Sequence, residues 1–81
     1  MRQNTMAALQ DALAKHNAGD LGGAARAYRA ILKRDPAQAD AMHLLGLTAH
    51  QTGDQARAIR HIEKAVAMKP KEPVFLGNLG L

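Results

Sequence analysis

Apolar side chains recur at helical spacing along this chain, and glycine and proline divide them into short segments. In the first segment, Met6, Leu9 and Leu13 fall three and four residues apart, on one face of a helix. No stretch alternates apolar and polar residues with a period of two, so no strand is expected. The pattern and its stop signals predict helices over roughly Thr5 to Ala18, Gly22 to Lys33, Ala37 to Thr52, Gln55 to Met68 and Pro73 to Leu81.

The residues that punctuate these segments repeat every 34 positions. A shift of 34 places five residues of the first unit on identical residues of the second, namely Gly19, Asp20, Ala24, Arg26 and Pro36 on Gly53, Asp54, Ala58, Arg60 and Pro70. The Gly-Asp pair ends one helix and supplies a carboxylate that can cap the next. Because proline lacks an N–H, Pro36 and Pro70 stop the second helix of each unit. The period therefore predicts a helix pair that occurs twice.

The second unit resembles the tetratricopeptide repeat signature. It reads Met42-x2-Leu45-Gly46-x2-Ala49, then Gly53-Asp54, Ala58-x3-Ile62, Ala65 and Pro70, with Met42 and Ala49 where the family has Trp and Tyr. The first unit keeps the second-helix half of the signature, from Ala24-x3-Tyr28 to Asp35-Pro36. Its first helix departs from the signature, since Asp11 and Lys15 stand where the family has Leu and Tyr.

The resemblance implies an all-α fold, a right-handed superhelix of antiparallel helix hairpins. Residues 1–81 would form one tetratricopeptide domain, with repeats over 5–38 and 39–72 and the start of a third over 73–81. Repeat stacks of this kind need about three units, because each unit buries its apolar face against a neighbour. We therefore expect the chain to be a fragment of a longer protein, with a last helix that frays or pairs with another copy.

The resemblance also implies a binding surface. In the family, the first helices of successive repeats line a concave groove that holds a peptide. The matching positions here are Leu9, Leu13, His16, Asn17, Asp40, His43, Leu47, His50 and Gln51, with Val74, Gly77 and Asn78 in the partial third unit. An alternative stays open for Leu9 and Leu13, which would form the core face of the first helix if that helix were rotated relative to the family.

The residue inventory argues against a catalytic or cofactor-binding role. The chain has no Cys and no Ser, and none of its few hydroxyls lies in a nucleophile motif. Aromatic residues make up 2% of the chain, so no cofactor is expected. His16, His43 and His50 share one side of the predicted helices. A zinc site on a helix needs two ligands about three or four residues apart and a carboxylate such as Asp40, whereas His43 and His50 are seven residues apart. We expect no metal, partly exposed groove histidines, and His61 on the surface.

The formal charge of +4 and the pI of about 10 raise the possibility of RNA binding. The bases lie mainly on the second helix of each repeat without interleaved aromatic residues, so a solvated outer face is favoured over a nucleic-acid partner. No apolar run of about 18 residues could span a bilayer, and we expect no membrane partner and a cytoplasmic location.

These observations lead to two hypotheses about function. The first is a non-enzymatic scaffold that binds a protein or peptide partner in the concave groove. The alternative is the N-terminal repeat segment of a larger bacterial glycosyl- or sulfotransferase whose catalytic domain lies elsewhere. It rests on Asn78-Leu79-Gly80, which looks like repeats found ahead of transferase domains in bacterial proteins.

Overall fold

The computed structural model describes residues 5–71, which form helices and turns and contain no strand. The helices are α1 (Thr5–Asn17), α2 (Leu21–Arg34), α3 (Ala39–Gln51) and α4 (Gln55–Met68). Helices α1 and α2 form one antiparallel hairpin, α3 and α4 form the next, and α2 packs against α3. The all-α fold predicted from the repeat is confirmed. The predicted helix over Pro73 to Leu81, and with it Val74, Gly77 and Asn78, lies outside the described residues.

The turns within the two hairpins have the same structure. Gly19 and Gly53 take φ values of +87° and +89°, a left-handed geometry that glycine adopts at little steric cost. After α1, the Asp20 N–H donates to the Lys15 carbonyl at 2.9 Å, and after α3 the Asp54 N–H donates to the Ala49 carbonyl at the same distance. These bonds satisfy carbonyls left open at the helix ends.

The aspartate after each of these glycines begins the next helix. The carboxylate of Asp20 accepts a hydrogen bond from the Gly23 N–H at 2.9 Å, and that of Asp54 accepts one from the Arg57 N–H at 3.1 Å. Each bond satisfies one of the backbone donors that a helix start leaves open. The Gly-Asp pair therefore has the two roles predicted from the sequence.

Helix α3 begins two residues later than predicted. Pro36 and Ala37 lie in a turn, and the first helical residue is Ala39 instead of Ala37. The reason is a cap that the sequence pattern did not indicate, in which the Gln38 side chain accepts a hydrogen bond from the Asp40 N–H at 3.0 Å. The Gln38 N–H in turn donates to the Asp35 carbonyl, which closes the turn.

The main core lies between α1, α2 and α3. Tyr28 and Ile31 are its largest fully or almost fully buried side chains, and small residues let the helices around them come close. The buried members of this cluster are Leu9, Ala12, Ala24, Tyr28, Ile31, Ala41 and Leu45. A second, smaller cluster joins α3 to α4 through Ala39 and Ala65. The core therefore runs through both hairpins and holds α1 and α3 in a fixed relation.

Asp11 and Lys15, which depart from the repeat signature, are both exposed. The equivalent residues one repeat later, Leu45 and Ala49, are buried and half-buried, and Leu45 joins the cluster that contains α2. No helix of the described residues precedes α1, so Asp11 and Lys15 have no corresponding partner surface here. Polar side chains at these positions fit this environment.

Candidate functional site

The candidate site is the surface formed by α1 and α3, the first helices of the two hairpins. A hydrogen-bond network centred on His16 joins them. His16 Nδ1 lies 3.1 Å from the hydroxyl oxygen of Tyr28 on α2 and 3.4 Å from Oγ1 of Thr48 on α3, and His16 Nε2 bonds to Oε1 of Gln51 on α3. His16 therefore joins α1 to two other helices and fixes the C-terminal end of α1 against that of α3.

One tautomer of His16 satisfies both of its strongest partners. Its Nε2–H donates to the Gln51 amide oxygen, which leaves Nδ1 to accept the hydrogen bond from the Tyr28 hydroxyl. The Tyr28 side chain is fully buried, its ring meets the imidazole edge to face, and burial raises the pKa of its hydroxyl. The network is thus a structural tie in which Tyr28 stays protonated.

The leucines predicted for this surface separate into two environments. Leu9 belongs to the main core and is only 9% exposed. This agrees with the alternative interpretation, in which Leu9 lies on the core face of the first helix. Leu13 is 37% exposed, and Leu47, its equivalent 34 positions later, is half-buried. Met6, two turns before Leu13, is 62% exposed. We call the surface of Leu13, His16, Asn17, Asp40, Leu47, His50 and Gln51 the groove face.

His43 corrects one expectation. It was expected to be a partly exposed histidine of the groove, but only 6% of its surface is exposed. Helix α3 packs against α2 on one side and α4 on the other, so more of its circumference is covered than that of α1. His43 can therefore support the groove face from below, but it offers little surface to a ligand.

The remaining predicted residues give the groove face a polar border. Asn17 and Gln51 are exposed at the C-terminal ends of α1 and α3, and Asp40 is half-buried at the start of α3. His50 bonds through Nδ1 to Oε1 of Gln55 at 2.6 Å, across the turn to α4. The result is an apolar strip at Leu13 and Leu47 with hydrogen-bonding groups around it.

The sequence pattern indicated His16 and Gln51 as groove residues, but it did not indicate the contacts of His16 with Tyr28 and Thr48. His16 and His50 are equivalent by the 34-residue period, yet only His16 faces a hydroxyl, because Ile62 occupies the position equivalent to Tyr28. The signal available in the sequence was this single exchange of tyrosine for isoleucine. Thr48, whose Oγ1 lies 3.4 Å from His16 Nδ1, donates its hydroxyl proton to the Leu44 carbonyl at 2.9 Å.

His61 was expected from the sequence to be an ordinary surface residue, and the structure corrects this expectation. It is half-buried, and its Nδ1 is buried without a hydrogen-bond partner in the part of the chain that the structure describes. Desolvation by burial lowers the pKa of His61, and the positive charges of Lys64, Arg60, Arg57 and Arg29 lower it further. His61 lies on α4 and lines a space that is also bordered by α2 and α3.

Within residues 5–71, no three histidine or acidic side chains come close enough together to hold a metal ion. None of the helices in that range combines the length and apolar character needed to cross a bilayer. The chemistry that the groove face offers is apolar contact and hydrogen bonding to imidazole and amide groups.

The sequence matches the family model described as tetratricopeptide repeat over residues 9–73. It is 35% identical to the photosystem I assembly protein Ycf3 of Prochlorococcus marinus (strain NATL2A), over 85% of this chain and 42% of that protein. It is 38% identical to cellulose synthase operon protein C of Komagataeibacter xylinus, over 79% of this chain and 5% of that protein. The chain thus spans less than half the length of these relatives.

Two solved structures are similar in fold. YrrB, described as a TPR protein with an unusual peptide-binding site, superimposes with a TM-score of 0.92 at 27% identity, over 96% of this chain and 40% of its own. A mutant of the O-GlcNAc transferase of Thermobaculum terrenum superimposes with a TM-score of 0.85 at 30% identity, over 99% of this chain and 16% of its own. Both similarities cover nearly the whole of this chain and a minor part of the other.

Proposed function

Because the chain belongs to the tetratricopeptide repeat family, whose superhelical fold it shares, we propose that it is an interaction scaffold that binds a partner peptide or helix on the groove face. The partner contributes apolar side chains to the strip at Leu13 and Leu47. Asn17 and Gln51 hydrogen-bond its main chain or polar side chains. The similarity to YrrB, described as having a peptide-binding site, supports this class of ligand.

The observation that carries the proposal is the incomplete burial of Leu13 and Leu47. These residues are equivalent in the two repeats, and both leave apolar surface uncovered beside a rigid network. Covering such surface is favourable by about 25 cal/mol per Å², so a ligand that does so gains affinity. Because His16 fixes α1 against α3, little ordering of these helices is needed on binding.

The test uses peptides selected from a random display library on the unmodified chain. We expect the Leu13→Glu and Leu47→Glu variants to bind the selected peptides at least about tenfold more weakly, because a charge replaces apolar contact. Ile59→Glu is the matched control, since Ile59 is 41% exposed on α4 and lies outside the groove face.

Helical circular dichroism should be unchanged in all three variants. Equal losses in Ile59→Glu and in the leucine variants would show that the peptides do not bind on the groove face. Selection of no peptide above background from a library that contains apolar sequences would count against the proposal as a whole.

A second candidate is that these repeats are the accessory segment of a larger transferase. The 30% identity to the O-GlcNAc transferase over almost all of this chain favours it. In that case the groove face would present acceptor polypeptides to a catalytic domain that follows the repeats. Reading the gene beyond the codon for Leu81 tests this directly. A transferase domain in the same frame supports the candidate, and its absence removes it.

A further inference from the structure

Charge is strongly segregated between the two pairs of helices. Helices α1 and α3 carry one lysine, Lys15, and two aspartates, Asp11 and Asp40. Helices α2 and α4 carry a single acidic residue, Glu63, against a set of bases, namely Arg26, Arg29, Lys33, Arg34, Arg57, Arg60 and Lys64. Every one of these bases is exposed. The surface opposite the groove face is therefore strongly positive although the net charge of the chain is only +4.

The positive charges converge where α2 and α4 approach each other over α3. A cavity of about 120 Å³ lies there, and Arg29 from α2 lines it together with Arg57 and His61 from α4. Burial is the main cause of the lowered pKa of His61, and the charges of three bases of α4 and of Arg29 across the gap lower it further. We call the surface of Arg29, Arg57, His61 and Lys64 the outer seam.

An apolar surface adjoins the outer seam. Leu32, which is half-buried, and Ala30 line a shallow depression on α2 together with Arg26, Arg29 and Lys33. Arg29 lines both this depression and the cavity. A ligand that extends from the cavity along α2 would therefore meet guanidinium groups and aliphatic side chains in turn.

We propose that the outer seam binds an acidic segment of a partner polypeptide, with one carboxylate between Arg29 and Arg57 and an apolar residue on Leu32. Guanidinium groups bind carboxylates through paired, charge-assisted hydrogen bonds, which accounts for a preference for arginine over lysine at the centre. This ligand differs from the ligand of the groove face, and the two surfaces can be occupied at the same time.

The aromatic content of the surface distinguishes this ligand from single-stranded nucleic acid. Proteins that bind single strands stack the bases on exposed aromatic rings. Tyr28, the aromatic residue of α2 and α4, is fully buried, and these helices have no exposed aromatic ring. The surface instead pairs its bases with aliphatic groups, which match an acidic segment that contains leucine or a similar side chain.

Asp54 provides an internal competitor for the proposed carboxylate. It lines the same cavity, and its Oδ2 lies 3.5 Å from Arg57 Nε, while its other oxygen caps α4. Asparagine caps a helix about as well as aspartate, but it carries no charge. Asp54→Asn should therefore keep α4 intact while it leaves Arg57 free for an external carboxylate.

The experiment measures binding of a fluorescein-labelled peptide of repeated Glu-Glu-Leu units to the full chain at low ionic strength. We expect the double variant Arg29→Gln, Arg57→Gln to bind about tenfold more weakly, and Asp54→Asn to bind about threefold more tightly. Arg34→Gln, which removes one positive charge from a residue outside the cavity and the depression, is the control and should change affinity less than twofold.

Binding should also raise the pKa of His61, because the added negative charge opposes the bases around it. Titration of the His61 ring resonances with and without the peptide measures this. The Leu13→Glu variant should bind the acidic peptide as the unmodified chain does, so failure of the groove proposal would not affect the result.

Two further probes distinguish the alternatives. Oligouridylate of the same formal charge as the peptide should bind more weakly than the Glu-Glu-Leu peptide. Phosphatidylserine vesicles, used at the same total concentration of negative charge, should also bind more weakly. Tighter binding of either probe, equal losses in Arg34→Gln and the double variant, or weaker binding by Asp54→Asn would overturn the proposal.

Discussion

Gly46 determines how closely α3 and α4 approach each other. A Cβ atom at this position would lie 2.7 Å from Ile62 Cγ1 and 3.2 Å from the Ala58 carbonyl oxygen. Ile62 is fully buried and the carbonyl belongs to the helix backbone, so neither atom can move without displacing α4. A residue without a side chain is thus required at this crossing by two separate contacts.

Gly46→Ala should lower the free energy of unfolding by about 1–3 kcal/mol, since overpacking a close helix crossing costs this much. Urea denaturation followed by circular dichroism measures the change. Gly22→Ala is the matched control, because its added Cβ would meet only the flexible end of Arg26, at 3.7 Å. We expect this variant to be unchanged or slightly more stable, since alanine favours a helix more than glycine does. A loss of the same size in both variants would contradict this account.

The tie between His16 and Tyr28 can be measured as a coupling energy. His16→Ala leaves the buried Tyr28 hydroxyl without its partner, and we expect a loss of about 2 kcal/mol. In a Tyr28→Phe background the same substitution should cost about 1 kcal/mol less, because no hydroxyl is left unpaired. A double-mutant cycle from urea denaturation gives the difference.

His50→Ala is the control for this cycle. It removes the equivalent residue of the second repeat, whose bond to Gln55 is exposed, and should cost less than about 0.5 kcal/mol. A coupling energy near zero between His16 and Tyr28 would mean that the tie does not hold α1 in place.

The helices show which sequence signals were sufficient. The bounds of α4 were predicted to the residue, because Asp54 marks its start and Pro70 follows its end. The late start of α3 was missed because glutamine is not among the preferred N-cap residues, so Gln38 gave no signal.

The groove was predicted less well than the helices, because the repeat pattern assigns a position to a helix face but not a degree of burial. His43 and Leu9 are covered by neighbouring helices that the pattern alone cannot place. The environment of His61 depends on Arg29, which is far from it in sequence.

The burial of His61 on α4, near the bases of α4 and Arg29 of α2, makes stability depend on pH. Its pKa lies below the ordinary value of 6.5 in the folded chain, so the unfolded chain binds the proton more readily. Stability should therefore be fully present above about pH 7 and fall as the pH drops through the unfolded value toward the folded one. The groups that face His61 are Lys64, Arg60, Arg57 and Arg29, with Asp54 on the wall of the same cavity.

Urea midpoints measured between about pH 7.5 and pH 5.5 test this effect. The His61→Gln variant should lose less stability over this range than the unmodified chain does, because glutamine does not titrate. The comparison between variants isolates the contribution of His61 from that of the rest of the chain. An identical fall in both proteins would show that His61 does not contribute.

The repeat architecture places all second helices on one side, so a charge bias within these helices becomes a property of the whole surface. The bases of α2 and α4 repel one another, and each is exposed to the solvent that can screen it. Salt at 0.1 M reduces the range of such interactions to about 10 Å. Unlike a protein whose stability depends on surface ion pairs, this one should become more stable as salt is added.

We expect sodium chloride, raised from about 0.02 to 0.2 M, to increase the free energy of unfolding by about 1 kcal/mol. Urea is the denaturant of choice because it is uncharged and leaves the ionic strength unchanged. The double variant Arg29→Gln, Arg57→Gln should start from a higher stability at low salt and gain less, since two of the repelling charges are gone. A fall in stability with salt would mean that attraction, such as that between Asp54 and Arg57, outweighs repulsion among the bases of α2 and α4. The positive charge of the outer seam would then already be compensated by acidic residues of the same chain.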